Sequence, residues 1–557
     1  MIWQDASEFQ GSERYELLGR IGSGGMAEVY RVRDRHTGHI VALKLLRLLD
    51  AESIYRFKQE FRSLSNISHR NLVSLYELVH VEPHWFFTME LVEGHNFFSY
   101  VRRKKQVTSS AKTEVLDIKL EQRPRPSVVS LSTARPPDLA RLRACFSQLC
   151  VGVQALHSQD KLHRDIKPSN ILVDSEGRVV VVDFGLVSDL SETPRSDRMA
   201  LGTAEYMSPE QGHCGRVRPP SDWYSVGVVL YEALTGIRPY QGQPLVILAD
   251  KQKRDPIDPC QLVPSLPRDL CDLCMALLAR SPSERPSGHE VLAALGLDGS
   301  ANMASTMAVG SIPSVFVGRQ QELRSMEEAF AAVAKNRDAQ TVLIDGDPGV
   351  GKSALMAHFT DRLAAESGAL VLSGRCYERE SVPFKAIDTL VDSLSRYLAT
   401  LKDHEIQAVL PANIQTLARL FPVLKSVPAV ARLRRSPLPI NPQEGRRLAL
   451  AALRKLLIAV GESRPLVLQV DDFQWSDVDS ALVLSDLVAL PDGPTMLLCV
   501  TSRREEGFGS EALQTFRDRI TGHNGQQALT IVGLAPLAVA EATELARLSL
   551  REPDRKR

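Results

Sequence analysis

His163-Arg164-Asp165-Ile166-Lys167-Pro168-Ser169-Asn170, followed by Asp183-Phe184-Gly185, is the stretch on which the reading of this 557-residue chain turns. It gathers a candidate base (Asp165), a cation (Lys167) and two candidate metal ligands (Asn170 and Asp183). That set suits the movement of a phosphoryl group onto a hydroxyl. The match is dense rather than a lone short pattern.

Upstream of it, Ile21-Gly22-Ser23-Gly24-Gly25-Met26-Ala27-Glu28-Val29 lies between two expected strands. Its glycines would let the backbone fold tightly over phosphates. Alone, the pattern is equally a hairpin turn. Val41-Ala42-Leu43-Lys44 then puts a cation on the next strand, and Glu60, on a helix-like run at 53–66, is the natural group to orient Lys44.

The length is too great for one hydrophobic core, so two or more domains are expected. Hydrophobic residues at 44% and charged residues at 24% describe an ordinary globular composition. Lys+Arg and Asp+Glu are both 67, a net charge of +0 that gives no overall pull toward nucleic acid or anionic lipid. The first residues lack the basic-then-apolar layout of a signal peptide, and no window reaches the roughly 18 apolar residues of a membrane span. A cytoplasmic location is the expectation. The eight cysteines fit free thiols in a reducing compartment. Cys271 and Cys274 form a CxxC without a second ligand pair, and a helix burying both beside Leu270, Leu277 and Leu278 is expected.

Residues 12–95 alternate β-branched runs with turn signals, as at 14–22 and 39–46. Residues 103–137 are polar and Ser/Thr-rich, then Arg/Pro-rich, and read as a surface insertion. Leu142, Phe146, Leu149, Val153 and Leu156 recur at helical spacing within 139–157. Helices are also expected at 222–236 and 268–280, and an interdomain linker at 296–314. Beyond the linker, apolar runs at 341–345, 369–373, 466–470 and 496–501 alternate with helical stretches. That order argues for a parallel sheet covered on both faces.

Gly346-Asp347-Pro348-Gly349-Val350-Gly351-Lys352-Ser353 follows the first of those runs. Strand, loop and helix then make a P-loop, in which Gly346, Gly351 and their neighbours offer backbone N–H groups to phosphates. Lys352 reaches the β/γ oxygens and Ser353 binds Mg²⁺. The run ending Asp471-Asp472 supplies an acidic pair at a strand end, Asp471 to assist the metal and Asp472 to polarise water.

Taken together, residues 14–295 resemble the eukaryotic-type serine/threonine protein kinases found in bacteria. The resemblance implies a bilobal fold with ATP held by Ile21, Gly22, Gly24, Val29, Lys44 and Glu60. Met89 would gate the adenine pocket, with Glu90 and Val92 offering backbone hydrogen bonds. Asp165 would accept the substrate hydroxyl proton, Lys167 would neutralise the moving phosphoryl group, and Asn170 and Asp183 would hold Mg²⁺. Lys167, two residues after Asp165, is the serine/threonine rather than tyrosine pattern. Gly202 to Glu210 resembles the end of an activation segment, Asp222 the aspartate bracing the catalytic loop, and Arg285 the partner of Glu210. Arg164 would grip a phosphorylated segment, with Ser191, Thr193 and Ser196 as candidates. Ala27 and Ser208 depart from the family pattern, but both are small.

Residues 315–538 resemble the AAA-type/STAND regulatory ATPases, through Val317-Gly318-Arg319 and Asp471-Asp472-Phe473-Gln474-Trp475. Arg503 resembles a residue sensing the γ-phosphate, and the module looks truncated. The expected protein is multidomain, α+β then α/β, with ATP at two sites and protein Ser/Thr substrates; no nucleic-acid or membrane partner is expected. Two alternatives remain at this point: an ATP-binding signalling scaffold, or an ATPase switch whose kinase half acts mainly on itself.

Overall fold

The computed structural model describes residues 9–24, 26–65, 67–102, 137–184, 188–189, 204–212, 217–297, 316–433, 441–489, 493–504, 510–524 and 529–550. Its backbone contacts form two compact units. One holds Met1–Ser65, Tyr76–Thr88 and Ser311–Arg557, the other Asn66–Leu75 and Met89–Gly310. The expected insertion, the linker and the candidate phosphorylation sites Ser191, Thr193 and Ser196 lie essentially outside the described residues.

In the first unit, β1 (Tyr15–Ser23), β2 (Ala27–Asp34) and β3 (Ile40–Leu46) form antiparallel neighbours. β4 (Leu75–Val81) and β5 (His84–Met89) continue the same sheet. Val32, Val41, Leu43, Leu45, Val79 and Phe86 bury one face with Tyr15 and Phe9. Helix α1 (Ala51–Leu64) starts where Asp50 accepts the backbone N–H groups of Glu52 and Ser53. It begins two residues before the expected start, at this cap.

The second unit is mainly helical. β6 (Gly94–Asn96), β8 (Ile171–Asp174) and β9 (Val179–Val181) make a small antiparallel sheet, and β7 (Lys161–Leu162) pairs with β10 (Ser188–Asp189). Helix Leu139–His157 appears as its periodicity predicts, with Leu142, Phe146, Leu149, Val153 and Leu156 all buried. Helix Pro219–Thr235 begins earlier than expected because a proline is compatible with the first turn. Helix Arg268–Leu277 buries Cys271 and Cys274 as expected, but Cys271 is not a free thiol: it forms a disulfide with Cys260. The expectation of free thiols fails at Cys271 because tertiary folding brings Cys260 beside it.

The remainder of the first unit is a five-stranded parallel sheet. Its strands are β11 (Gln340–Gly346), β12 (Leu370–Arg375), β14 (Leu466–Asp471), β15 (Met496–Arg503) and β16 (Leu529–Leu534), in the order β12-β14-β15-β11-β16. Successive side chains feed opposite cores. Leu466, Leu468, Leu498 and Val500 enter one, while Val467, Leu497 and Cys499 enter the other. Both faces are covered, so the strands read as continuous apolar runs rather than alternating ones. The short strand β13 (Glu380–Ser381) leaves this sheet and pairs parallel with β4. Among the described residues, no helix is long and apolar enough to cross a membrane.

Candidate active site and P-loop site

In the first unit, β1 and β2 approach with Gly22 opposite Val29, and the Gly24 N–H donates to the Ala27 carbonyl at 2.8 Å. Gly25 lies outside the described residues, and Ile21 is exposed. On β3, Lys44 Nζ donates to Glu60 Oε1 on α1 at 2.6 Å, and both side chains are nearly buried. Lys44 Nζ also lies 5.6 Å from the centre of the Phe87 ring. Burial makes the pairing necessary, because a charge removed from water at this depth is stable only with a partner.

In the second unit, the loop after β7 carries Asp165. Lys167 Nζ donates to Asp165 Oδ2 at 2.6 Å, and Asn170 Nδ2 donates to the same oxygen at 3.1 Å and to the Asp165 carbonyl at 2.9 Å. Asp165 Oδ1 is buried and has no hydrogen-bond partner among the described residues. Asn170 spends its N–H₂ on Asp165, and its amide oxygen, which accepts the Ser169 hydroxyl at 3.2 Å, keeps a second lone pair for a cation. With the Asp183 carboxylate, it offers the hard oxygen donors that Mg²⁺ prefers.

Asp222, at the start of helix Pro219–Thr235, fixes the loop from beneath. It accepts the backbone N–H groups of His163 (2.9 Å) and Arg164 (2.8 Å) and pairs with His157 Nε2 at 2.8 Å. Burial pushes its carboxyl pKa up, but the hydrogen bonds from His157 and from the His163 backbone N–H outweigh that and hold it below the usual range. Arg164 and Asp183 both have positive φ, 63° and 61°, and for Arg164 the bond to Asp222 sustains that backbone state. His163 is buried, which lowers its pKa and keeps it neutral, and its Nδ1 accepts the Asp165 N–H at 3.2 Å.

Arg285 meets Glu210 through two bonds, of 2.6 and 2.9 Å, and Ser221 adds a third at 2.6 Å. Ser208, the departure from the family pattern, is fully buried and hydrogen-bonds Gln211, whose amide reaches the Arg164 carbonyl at 3.1 Å. The Glu90 N–H donates to the Ser74 carbonyl at 2.9 Å and its side chain pairs with Arg178. Its carbonyl is therefore the backbone group it can offer. Met89 and Val92 are half-buried alongside it.

The P-loop joins β11 to helix Lys352–Ser367, with Gly349 and Gly351 at φ of 78° and 99°. Only glycine takes such angles without strain. Lys352 Nζ donates to the carbonyls of Gly346 (2.7 Å) and Asp347 (2.9 Å), and burial with the Arg503 charge lowers its pKa. Ser353 Oγ donates to Asp471 at 2.9 Å, bringing the two halves of the motif together across β15.

Asp472 sits among three polar partners. Arg375 Nη2 binds its Oδ2 at 2.8 Å and Gln474 its Oδ1 at 2.9 Å, with Arg503 Nε 3.8 Å from Oδ1. Arg375 and Thr501, whose hydroxyl donates to Asp471 at 2.6 Å, were missed by sequence reasoning. The position of Thr501 at the end of an apolar run was the available signal; Arg375 gave none.

Comparison with known proteins agrees with this geometry. Residues 15–295 match the protein kinase domain family, and residues 315–500 match the AAA ATPase domain family. Among similar proteins, serine/threonine-protein kinase PrkC of Bacillus subtilis is 32% identical over 279 residues, covering 49% of this chain and 38% of that protein. Serine/threonine-protein kinase PknL of Mycobacterium tuberculosis is 32% identical over 278 residues, covering 49% and 62%. PknB of Mycobacterium tuberculosis is 30% identical over 285 residues, covering 49% and 41%. The matches therefore span between about two fifths and three fifths of these relatives. With half of its length matched and the catalytic-loop residues assembled as above, the chain belongs to the protein kinase domain family and carries an AAA ATPase domain after it.

Proposed function

We propose that this protein transfers the γ-phosphate of ATP to serine or threonine hydroxyls of proteins, and that its P-loop module regulates that activity. The proposed organisation is a kinase domain at 14–295, a linker at 296–314 and the ATPase domain at 315–557. The observation that carries the reading is Asp165. Its Oδ2 is held by Lys167 and Asn170, while its Oδ1 is buried and has no partner among the described residues.

In this reading Asp165 Oδ1 accepts the proton of the substrate hydroxyl as that oxygen attacks phosphorus. Lys167 is placed to offset charge on the moving phosphoryl group, and Lys44, oriented by Glu60, positions the phosphates. Asn170 and Asp183 would hold Mg²⁺, which neutralises phosphate charge when bound; Ser353 and Asp471 would do so in the P-loop module. The hydroxyl-rich segment of Ser191, Thr193 and Ser196 is proposed as the site of autophosphorylation.

The test uses the full chain, labelled ATP and a generic protein acceptor. Protein-bound label supports a kinase, whereas free phosphate alone supports an ATPase. Asp165→Asn should lower protein labelling by about 10²–10⁴-fold. An unchanged rate refutes the assignment.

A further inference from the structure

Helix α1 is held from two sides. Glu60 faces Lys44, while Lys58 and Arg62 point elsewhere: at about 100° per residue, they lie about 40° apart and Glu60 about 200° from Lys58. Both cations are buried, with side-chain exposures of 2% and 3%. Their partners come from the P-loop domain. Lys58 Nζ donates to the two oxygens of Asp388 at 2.9 and 2.8 Å and to Asp392 at 3.0 Å. Arg62 donates to Glu380, Asp392 and Asp388, each at 2.8 Å.

Asp388 and Asp392 are one turn apart on helix Lys385–Leu398, mirroring the spacing of Lys58 and Arg62. Glu380 comes from β13, which lengthens the β-sheet beside β4, and the Leu78 N–H donates to the Arg379 carbonyl at 3.0 Å. Ser381 also hydrogen-bonds Glu77. The contact therefore combines strand addition with a buried charge cluster, two unrelated forms of complementarity at one place.

We propose that the P-loop domain is a built-in clamp on α1, whose ionic cluster of Lys58, Arg62, Glu380, Asp388 and Asp392 keeps Glu60 on Lys44. Phosphoryl transfer by the kinase half then depends on the docked P-loop domain. The proposal rests on the kinase reading above. Two buried cations are stable at this depth only beside these carboxylates, of which burial raises the pKa of Glu380 and Asp392 while Asp388 is held below its usual range, so loss of the carboxylates forces Lys58 and Arg62 to seek water and α1 to move with them. A face built only for packing could have been apolar at no loss of stability. Ionic partners instead permit clean separation into water, as a releasable contact needs.

The clamp also has a route from the nucleotide site. Arg375, which binds Asp472, and Arg62 both lie against the Tyr377 ring, at 5.8 and 5.9 Å from its centre. At the other end of the contact, Asp477, beyond the acidic pair, accepts the first N–H of the helix carrying Asp388, at 2.6 Å.

The experiment compares the full chain with an Asp388→Asn/Asp392→Asn double variant and with Lys58→Met, which leaves the P-loop domain unaltered. Three quantities are read: hydrogen exchange of α1 amides, protein-bound label from ATP, and binding of a fluorescent ADP analogue to the P-loop. The expected result for both variants is at least tenfold faster α1 exchange and at least tenfold less label, with ADP-analogue affinity within threefold of wild type. Unchanged α1 exchange, or faster exchange with full labelling, overturns the clamp. Should the double variant lose ADP-analogue binding through misfolding, Lys58→Met decides by the same criteria. A wild-type chain that labels no protein sinks the kinase reading instead, and α1 exchange alone then decides whether the clamp exists.

Discussion

Replacing Asp222 by asparagine tests how the catalytic loop is held. The carboxylate serves three donors: Oδ2 takes His157 and the His163 N–H, and Oδ1 takes the Arg164 N–H. An asparagine amide has one acceptor oxygen. In its better orientation it keeps His157 and His163 and turns N–H₂ toward the Arg164 N–H. One buried donor is then orphaned, costing about 1–3 kcal/mol, and the two remaining bonds lose charge assistance, about 1 kcal/mol each. The total is about 3–5 kcal/mol at a site that is 1% exposed. The Arg164 backbone, at φ 63°, would relax once its N–H is released, and Asp165 follows it directly in the chain. A displacement of about 1 Å there costs on the order of 10²-fold in rate. Thermal unfolding and kcat with a protein acceptor check both effects. An Asp222→Asn protein with wild-type midpoint and kcat would refute the claim that these bonds position the loop.

Other outcomes follow from the same structure. Burial lowers the pKa of Lys251 to about 7. The folded protein thus holds fewer protons than the unfolded chain between pH 7 and about 10.4, and stability from this group rises with pH across that window. Lys251→Met should flatten that rise in the unfolding midpoint; an unaltered pH profile counts against it. Cys260→Ser opens the loop closed by the disulfide to Cys271 and should destabilise the oxidised protein by about 2–3 kcal/mol. A thiol reductant should lower the wild-type midpoint similarly and leave the variant's unmoved. Lys352→Ala should weaken nucleotide binding at the P-loop by at least about 10²-fold, through loss of a charge-assisted phosphate contact of about 3 kcal/mol. Equal affinity in wild type and variant, by titration of the ADP analogue, would show that the loop does not hold phosphate this way.

Much of this protein is legible in one dimension because its chemistry is carried by short segments. Asp165, Lys167 and Asn170 lie within one loop, so their spacing alone brings them into hydrogen-bond range. The P-loop is likewise a local strand, turn and helix, and parallel strands buried on both faces betray themselves as apolar runs. Helix starts were less legible. Asp50 caps α1 and Pro219 opens its helix before the apolar periodicity begins.

Long-range partners left no such trace. Cys271 has a cysteine three residues away in the chain, yet bonds the one eleven residues before it. The Arg375 bond to Asp472 spans 97 residues, and no local pattern announces it. Nothing in the sequence singles out Lys58 and Arg62, since a basic pair one turn apart is normally solvated. Their carboxylates are 318 to 334 residues away. Local sequence determined the catalytic loop, the P-loop and the alternation of strands and helices, because each is stabilised by neighbours in the chain. Tertiary structure alone decided which charges lost their water, since desolvation depends on what the fold lays over a side chain, and a linear pattern carries no record of that.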